Sequence, residues 1–98
     1  MVIYSLVTYP QESAKPMVTR FMEAPEIPDF MTRLGPYVSA STADGIRVIA
    51  IFELDKSRIA EGLEFLGSYF AHFFGIPGYA YEYKPYFELE EALKTLDM

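Results

Sequence analysis

One stretch of the chain, Gly45–Leu54, constrains the fold more than any other, because β-branched and aromatic residues follow one another there almost without interruption. This composition predicts the central strand of a β-sheet. Its even-numbered residues are all apolar, and its odd-numbered residues place Ile49 and Ile51 between Arg47 and Glu53. Both faces of the sheet therefore need a cover. The helices of this chain can cover one face, and we expect the function on the other, the open face.

Length and composition favour one folded domain over residues 1–98. A chain of 98 residues can build one hydrophobic core, and 51% hydrophobic and 16% aromatic residues exclude a disordered or fibrous protein. There is no cysteine, so we expect no disulfide, no thiolate nucleophile and no cysteine-based metal site. The lack of disulfides is typical of cytoplasmic proteins, and we expect this location.

The charge of the chain argues against two classes of partner. Its 8 basic and 14 acidic residues give a net charge of -6, which repels nucleic-acid phosphates and anionic lipid. We therefore expect neither nucleic acid nor a membrane surface as partner. Val2–Tyr9 alternates with period two and lacks the basic start of a signal peptide, so it predicts a first strand.

Helical spacing and turn residues predict the other elements. We expect strands over residues 2–9, 37–42, 45–54 and 79–84, and helices between Ser13 and Pro25, between Asp55 or Ser57 and Gly75, and over residues 89–96. A further turn is predicted over residues 27–33. In the last strand we place the tyrosines under the helices and Glu82 on the open face, because charged residues are rarely buried beneath a helix.

The dipeptide Asp44-Gly45 between two strand-like runs predicts a hairpin with a two-residue type I′ loop. That loop places Val38 and Ala40 beside the two isoleucines of the open face. A three-residue loop would flip one strand.

This order predicts an α+β fold of the ferredoxin-like βαββαβ type: a four-stranded antiparallel sheet with two helices on one face and a short C-terminal helix. The chain resembles the dimeric α/β-barrel superfamily. The resemblance rests on Asp44-Gly45 before the central strand, on Phe52-Glu53-Leu54-Asp55 entering the long helix, and on Ile76-Pro77-Gly78-Tyr79 before the last strand.

The resemblance implies a homodimer in which two sheets pack open face to open face, with a pocket between the sheet and the loops. Members of the superfamily include cofactor-independent monooxygenases, small-ring isomerases, sensor domains of transcription regulators and many uncharacterised proteins. No motif of an enzyme branch matches here, so no catalytic residue is carried over and no cofactor is expected.

Five open-face residues form the predicted ligand site: Arg47, Ile49, Ile51, Glu53 and Glu82. Arg47 has the geometry to clamp a carboxylate, and Glu53 or Glu82 in a pocket would be a candidate general base. The alternative is that these charges pair with other side chains or face water. His72, the only histidine, is either a proton carrier or a surface residue at a helix end. One histidine and no cysteine in a chain are too few for a metal site, although a two-fold axis would double these ligands.

Three functions remain open. The first is a small homodimeric protein that binds an apolar or aromatic molecule on the open face. The second is a cofactor-independent monooxygenase or isomerase. The third is an assembly protein whose open face is fully used in a closed dimer interface. The C-terminal helix packs either on its own chain or on the partner.

Overall fold

The computed structural model describes residues 1–96, an α+β fold with a four-stranded antiparallel sheet and three α-helices. This fold class is the one predicted, and Asp97 and Met98 of the predicted domain lie outside the described residues. The strands are β1 (Val2–Tyr9), β2 (Met31–Ser41), β3 (Gly45–Leu54) and β4 (Ala80–Tyr86), and the α-helices are α1 (Ala14–Glu23), α2 (Ile59–Ala71) and α3 (Leu89–Thr95).

The strands follow the order β2-β3-β1-β4, and every neighbouring pair is antiparallel. The prediction that Gly45–Leu54 is a central strand is therefore confirmed. Helix α1 connects β1 to β2, and α2 connects β3 to β4, so each helix bridges two strands that are not neighbours in the sheet.

The hydrophobic core lies between the sheet and α2. Ile3 of β1, Phe52 of β3 and Leu66 of α2 are at most 2% exposed. The chain enters α2 through a 3-10 turn, Lys56–Arg58, whose N-cap is Asp55: its carboxylate accepts a hydrogen bond from the backbone N–H of Ser57 at 2.9 Å. Of the two caps that the sequence predicted, Asp55 is the one used. Ser13 does not cap α1, because its hydroxyl donates to the Pro77 carbonyl at 2.6 Å.

Strand β2 begins earlier than predicted, at Met31 and not at residue 37. Met31 pairs with Leu54 and is buried, so the second half of the turn predicted over residues 27–33 is wrong. The strand passes through a register shift between Leu34 and Tyr37, around a cis peptide bond at Gly35-Pro36. Because proline lacks an N–H, a shift at this point lets an edge strand continue past it.

The β2–β3 loop has three residues, 42–44, and the two-residue loop was wrong. Ser41 pairs with Gly45, the Ser41 hydroxyl accepts from the Asp44 N–H at 2.9 Å, and Gly45 has a φ of 70°. Positive φ is thus needed only after the loop, as in hairpins that close with a bulge.

The true register changes which β2 side chains reach the open face. Val38 pairs with Val48, so Val38 lies on the face that carries the helices. Tyr37 and Leu34 pair with Ile49 and Ile51 and take the places predicted for Val38 and Ala40. In β4 the prediction is confirmed: Tyr81 and Tyr83 stack on Phe70, and Glu82 lies on the open face beside Leu6.

Helix α3 lies against the start of β1. A capping box joins Glu88 and Glu91, and the Met1 amino group contacts the Glu91 carboxylate at 2.9 Å. The apolar stripe of α3 faces outward: Leu89 is 74% exposed and Leu96 is 65% exposed. This single chain therefore leaves most of the stripe uncovered.

We predict that Gly45→Ala destabilises the hairpin. The residue has positive φ, and a Cβ there would lie 2.8 Å from the Tyr9 carbonyl oxygen. A strained backbone of this kind costs about 1–3 kcal/mol. The measurement is urea unfolding, with Ala43→Gly in the loop as the control. An unchanged midpoint for Gly45→Ala would contradict the positive φ of Gly45 and its close contact with Tyr9.

Candidate functional site

An apolar cavity of about 70 Å³ lies between the sheet and the helices, on the covered face of the sheet. We call it the helix-side cavity. It is lined by Ser5, Val7, Phe21, Arg33, Pro36, Val48, Ala50, Phe52, Tyr69, Phe70 and Phe73. These residues come from three strands, from both long helices and from the turn after α2.

Two small residues on the central strands help to leave this space open. Ser5 of β1 and Ala50 of β3 are directly opposite each other, and both are buried. The Ser5 hydroxyl donates to the Ala50 carbonyl at 3.1 Å, so its donor is already used. The interior of the cavity is therefore apolar in chemical terms, although a serine lines it.

The mouth of the cavity is formed by Phe21, Arg33 and Tyr69, which also line an adjoining surface groove of about 480 Å³. The other groove residues are Met22, Ala24, Pro25, Glu26 and Ile27. The groove adjoins the cavity at the three mouth residues, and it carries one carboxylate, that of Glu26.

Arg33 and Tyr69 supply the polar chemistry of the mouth. The Arg33 guanidinium carbon lies 5.9 Å from the centroid of the Phe21 ring. Burial raises the pKa of Tyr69, while the charge and hydrogen bond of Arg33 oppose that rise. The phenol is therefore neutral at pH 7 and can donate a hydrogen bond. Within residues 1–96, no carboxylate forms an ion pair with Arg33.

The predicted site residues lie on the opposite face of the sheet. Arg47, Ile49, Ile51 and Glu53 alternate along β3 on the open face, and Glu82 lies on the same face of β4. Apolar side chains occupy the middle of this face, and we call them the open-face patch: Val2, Tyr4, Leu6, Leu34, Tyr37, Ile49, Ile51 and Tyr86.

The open face does not bring the three predicted charges together in this chain. Arg47 and Glu53 are six residues apart on one strand, about 20 Å at roughly 3.3 Å per residue. Glu53 pairs with Val2, whereas Glu82 pairs with Leu6, so these carboxylates are separated by β1 and by two rows of the sheet. They form no carboxylate pair within one chain. Their role in ligand binding remains a prediction.

His72 has a packing role that links the two long helices. Its Nε2 lies 3.1 Å from the Arg20 carbonyl oxygen, and the Arg20 guanidinium donates to the His72 carbonyl at 2.9 Å. The same guanidinium also bonds the Phe74 carbonyl. The histidine therefore ties α1 to the end of α2 and lies outside the cavity lining.

The sequence interpretation missed Arg33, Tyr69 and the cavity itself. Arg33 lies in the segment that was predicted as a turn, and Tyr69 was not among the predicted site residues. One signal was present: Ser5 and Ala50 are small residues at positions of central strands where bulky side chains are usual.

Comparison of this chain with protein-family models, with curated proteins and with solved structures finds no significant match. Across residues 1–96, no helix has the length and apolar character needed to cross a membrane. The same described part of the chain contains no group of three or more histidine, cysteine or acidic side chains suited to a metal ion.

We predict that Arg33→Gln raises the pKa of Tyr69 further, because the substitution removes the positive charge that opposes the effect of burial. The pKa of Tyr69 in the folded protein lies above the ordinary value of 10.0. The contribution of Tyr69 to folding stability is therefore fully present below pH 10.0 and is lost as the pH rises through the folded pKa.

The measurement is a pH titration of the Tyr69 ring carbon by NMR. Lys15→Gln is the matched control, because it removes one charge from an exposed position of α1 outside the cavity and the groove. An equal titration of Tyr69 in the wild type and in Arg33→Gln would show that the two side chains do not interact.

Proposed function

We propose that this protein is a homodimeric small-molecule-binding protein of the dimeric α/β-barrel type, and that its ligand occupies the helix-side cavity. The observation that carries the proposal is an apolar cavity that shares Arg33 and Tyr69 with an adjoining surface groove. Ligand sites combine an apolar lining with a few placed polar groups, which is the composition found here.

The topology supports the ferredoxin-like part of the proposal. Each half of the chain is a strand, a helix and a strand, and the two halves interlock so that β1 and β3 are the central pair. This is the arrangement of a split βαβ fold.

The open-face patch supports the dimer. Four strands and four rows of side chains give a footprint of about 500 Å² per copy, from the usual strand and residue spacings. An antiparallel sheet leaves a face in water when that face is polar, whereas this one is apolar in its middle. A two-fold axis would bury the patch against its own copy.

Helix α3 adds to the surface available for a dimer. Two sheet footprints alone amount to about 1,000 Å², the lower limit for a specific interface. The stripe of Leu89, Leu93 and Leu96 provides further exposed apolar area. The radius of gyration is 14.9 Å, against about 12.6 Å for a compact domain of this length, so the single chain is more elongated than a typical compact domain.

Of the three functions that the sequence left open, binding has the most support. The cavity lining contains no carboxylate and no imidazole, and burial raises the pKa of Tyr69 away from that of a useful base. One observation favours the enzyme as a second candidate: a neutral phenol beside a guanidinium is able to stabilise an oxyanion. The third function, an assembly protein with a closed dimer interface, does not require a cavity and is not supported by one.

We predict that a small uncharged apolar molecule enters the cavity. Xenon is the probe, because dry apolar cavities in proteins bind it and it is small enough for a volume of about 70 Å³. We expect it to shift the NMR signals of the methyl groups of Val7, Val48 and Ala50. The substitution Ala50→Val should abolish these shifts, since the added methyl groups project into the cavity.

Ala40→Val is the matched control, because Ala40 is exposed on β2 and lies outside the cavity lining. Should Ala50→Val fail to fold, Val7→Ile fills the same space from β1. Wild-type methyl signals that do not respond to xenon, or that respond equally in Ala50→Val, would overturn the proposed function.

A further inference from the structure

We infer that the ligand of the helix-side cavity is a small monocarboxylic acid, with its apolar part in the cavity and its carboxylate at Arg33. The inference rests on the proposed function and names the class of molecule that the site would take.

The cavity admits only an apolar group. Phe52, Phe70 and Phe73 line it, and the one polar side chain in its interior, Ser5, already donates its hydrogen to a carbonyl. A polar group placed there would lose its hydrogen bonds to water without gaining others, which costs several kcal/mol on hydrocarbon scales. The volume of about 70 Å³ limits the group to a short alkyl chain or to part of one ring.

The mouth of the cavity selects a negative charge. Arg33 is half-buried, and it has no carboxylate partner among residues 1–96. A guanidinium binds a carboxylate through two parallel hydrogen bonds, and the neutral Tyr69 hydroxyl beside it offers another donor. A cationic ligand would be repelled by Arg33.

The surroundings of the mouth favour a ligand with a single negative charge. Glu26 lines the groove outside Arg33, and the whole chain carries a net charge of -6. Both disfavour a second negative group on the ligand. The other groove residues, including Met22, Pro25 and Ile27, are apolar, so they offer few donors for a dianion such as a phosphate monoester.

The test uses three series of straight-chain probes, from butanoate to octanoate, with the alcohols and the amines of the same lengths. They are titrated at pH 7 against the full chain, and binding is followed on the methyl signals of Val48 and Ala50. We expect carboxylates to bind at least tenfold more tightly than alcohols, and amines to bind most weakly. Each added methylene should raise the affinity about fourfold until the cavity is full.

Variants of Arg33 separate the contribution of the charge to ligand affinity from that of the cavity. Arg33→Gln should reduce carboxylate affinity at least tenfold and leave alcohol affinity unchanged. Arg33→Lys keeps the positive charge but loses the two parallel hydrogen bonds that a guanidinium donates. It should therefore retain a preference for carboxylates that is weaker than that of the wild type. Lys15→Gln is the control for the loss of one charge, and it should bind as the wild type does.

The outcomes distinguish this inference from the proposed function. If no probe of any series shifts the cavity methyl groups, both fail. If alcohols bind as tightly as carboxylates, or if Arg33→Gln weakens both classes equally, the cavity binds small molecules but the carboxylate assignment is wrong. A carboxylate preference that Arg33→Gln removes supports it.

Discussion

The structure depends on the pairing of β3 with β1, because both strands carry apolar side chains on both faces. On one face Ile3 and Phe52 meet the aromatic residues of α2 and form the core. On the other face Tyr4, Leu6 and Ile49 have no cover within residues 1–96. A sheet of this kind needs a second layer on each side. The long helices supply one layer, and a second copy of the chain is our candidate for the other.

The open face was predicted to serve both dimer association and ligand binding, and we assign these two roles to opposite faces of the sheet. The helix-side cavity lies under the helices, where the small residues Ser5 and Ala50 pair with each other and leave room between bulky side chains. Arg33 reaches its mouth because β2 extends back to Met31 and places every second residue on the helix side. The open face is then available for association, and its rim charges Arg47 and Glu53 need not contact a ligand.

Periodicity predicted the fold class, the central strand and the two faces of β4, because a period of two or of 3.6 is a local property of the sequence. The register of β2 was missed for a local reason: Gly45 supplies positive φ as readily after a three-residue loop as inside a two-residue one. The start of β2 was hidden by Pro36, which usually begins or breaks a strand. The cavity arises from side chains distant in the sequence, such as Arg33 and Tyr69, so no local pattern encodes it.

The most direct test of this account is the molecular mass in solution, measured by light scattering across a dilution series. One chain has a mass of 11.2 kDa, so a dimer is about 22 kDa, twice that value. The account predicts a mass near the dimer value at micromolar concentration, which Ile49→Glu lowers to that of one chain and Val38→Glu, on the other face of the sheet, leaves unchanged. A wild-type monomer at these concentrations would contradict the account, because the open-face patch would then have no cover from a second copy.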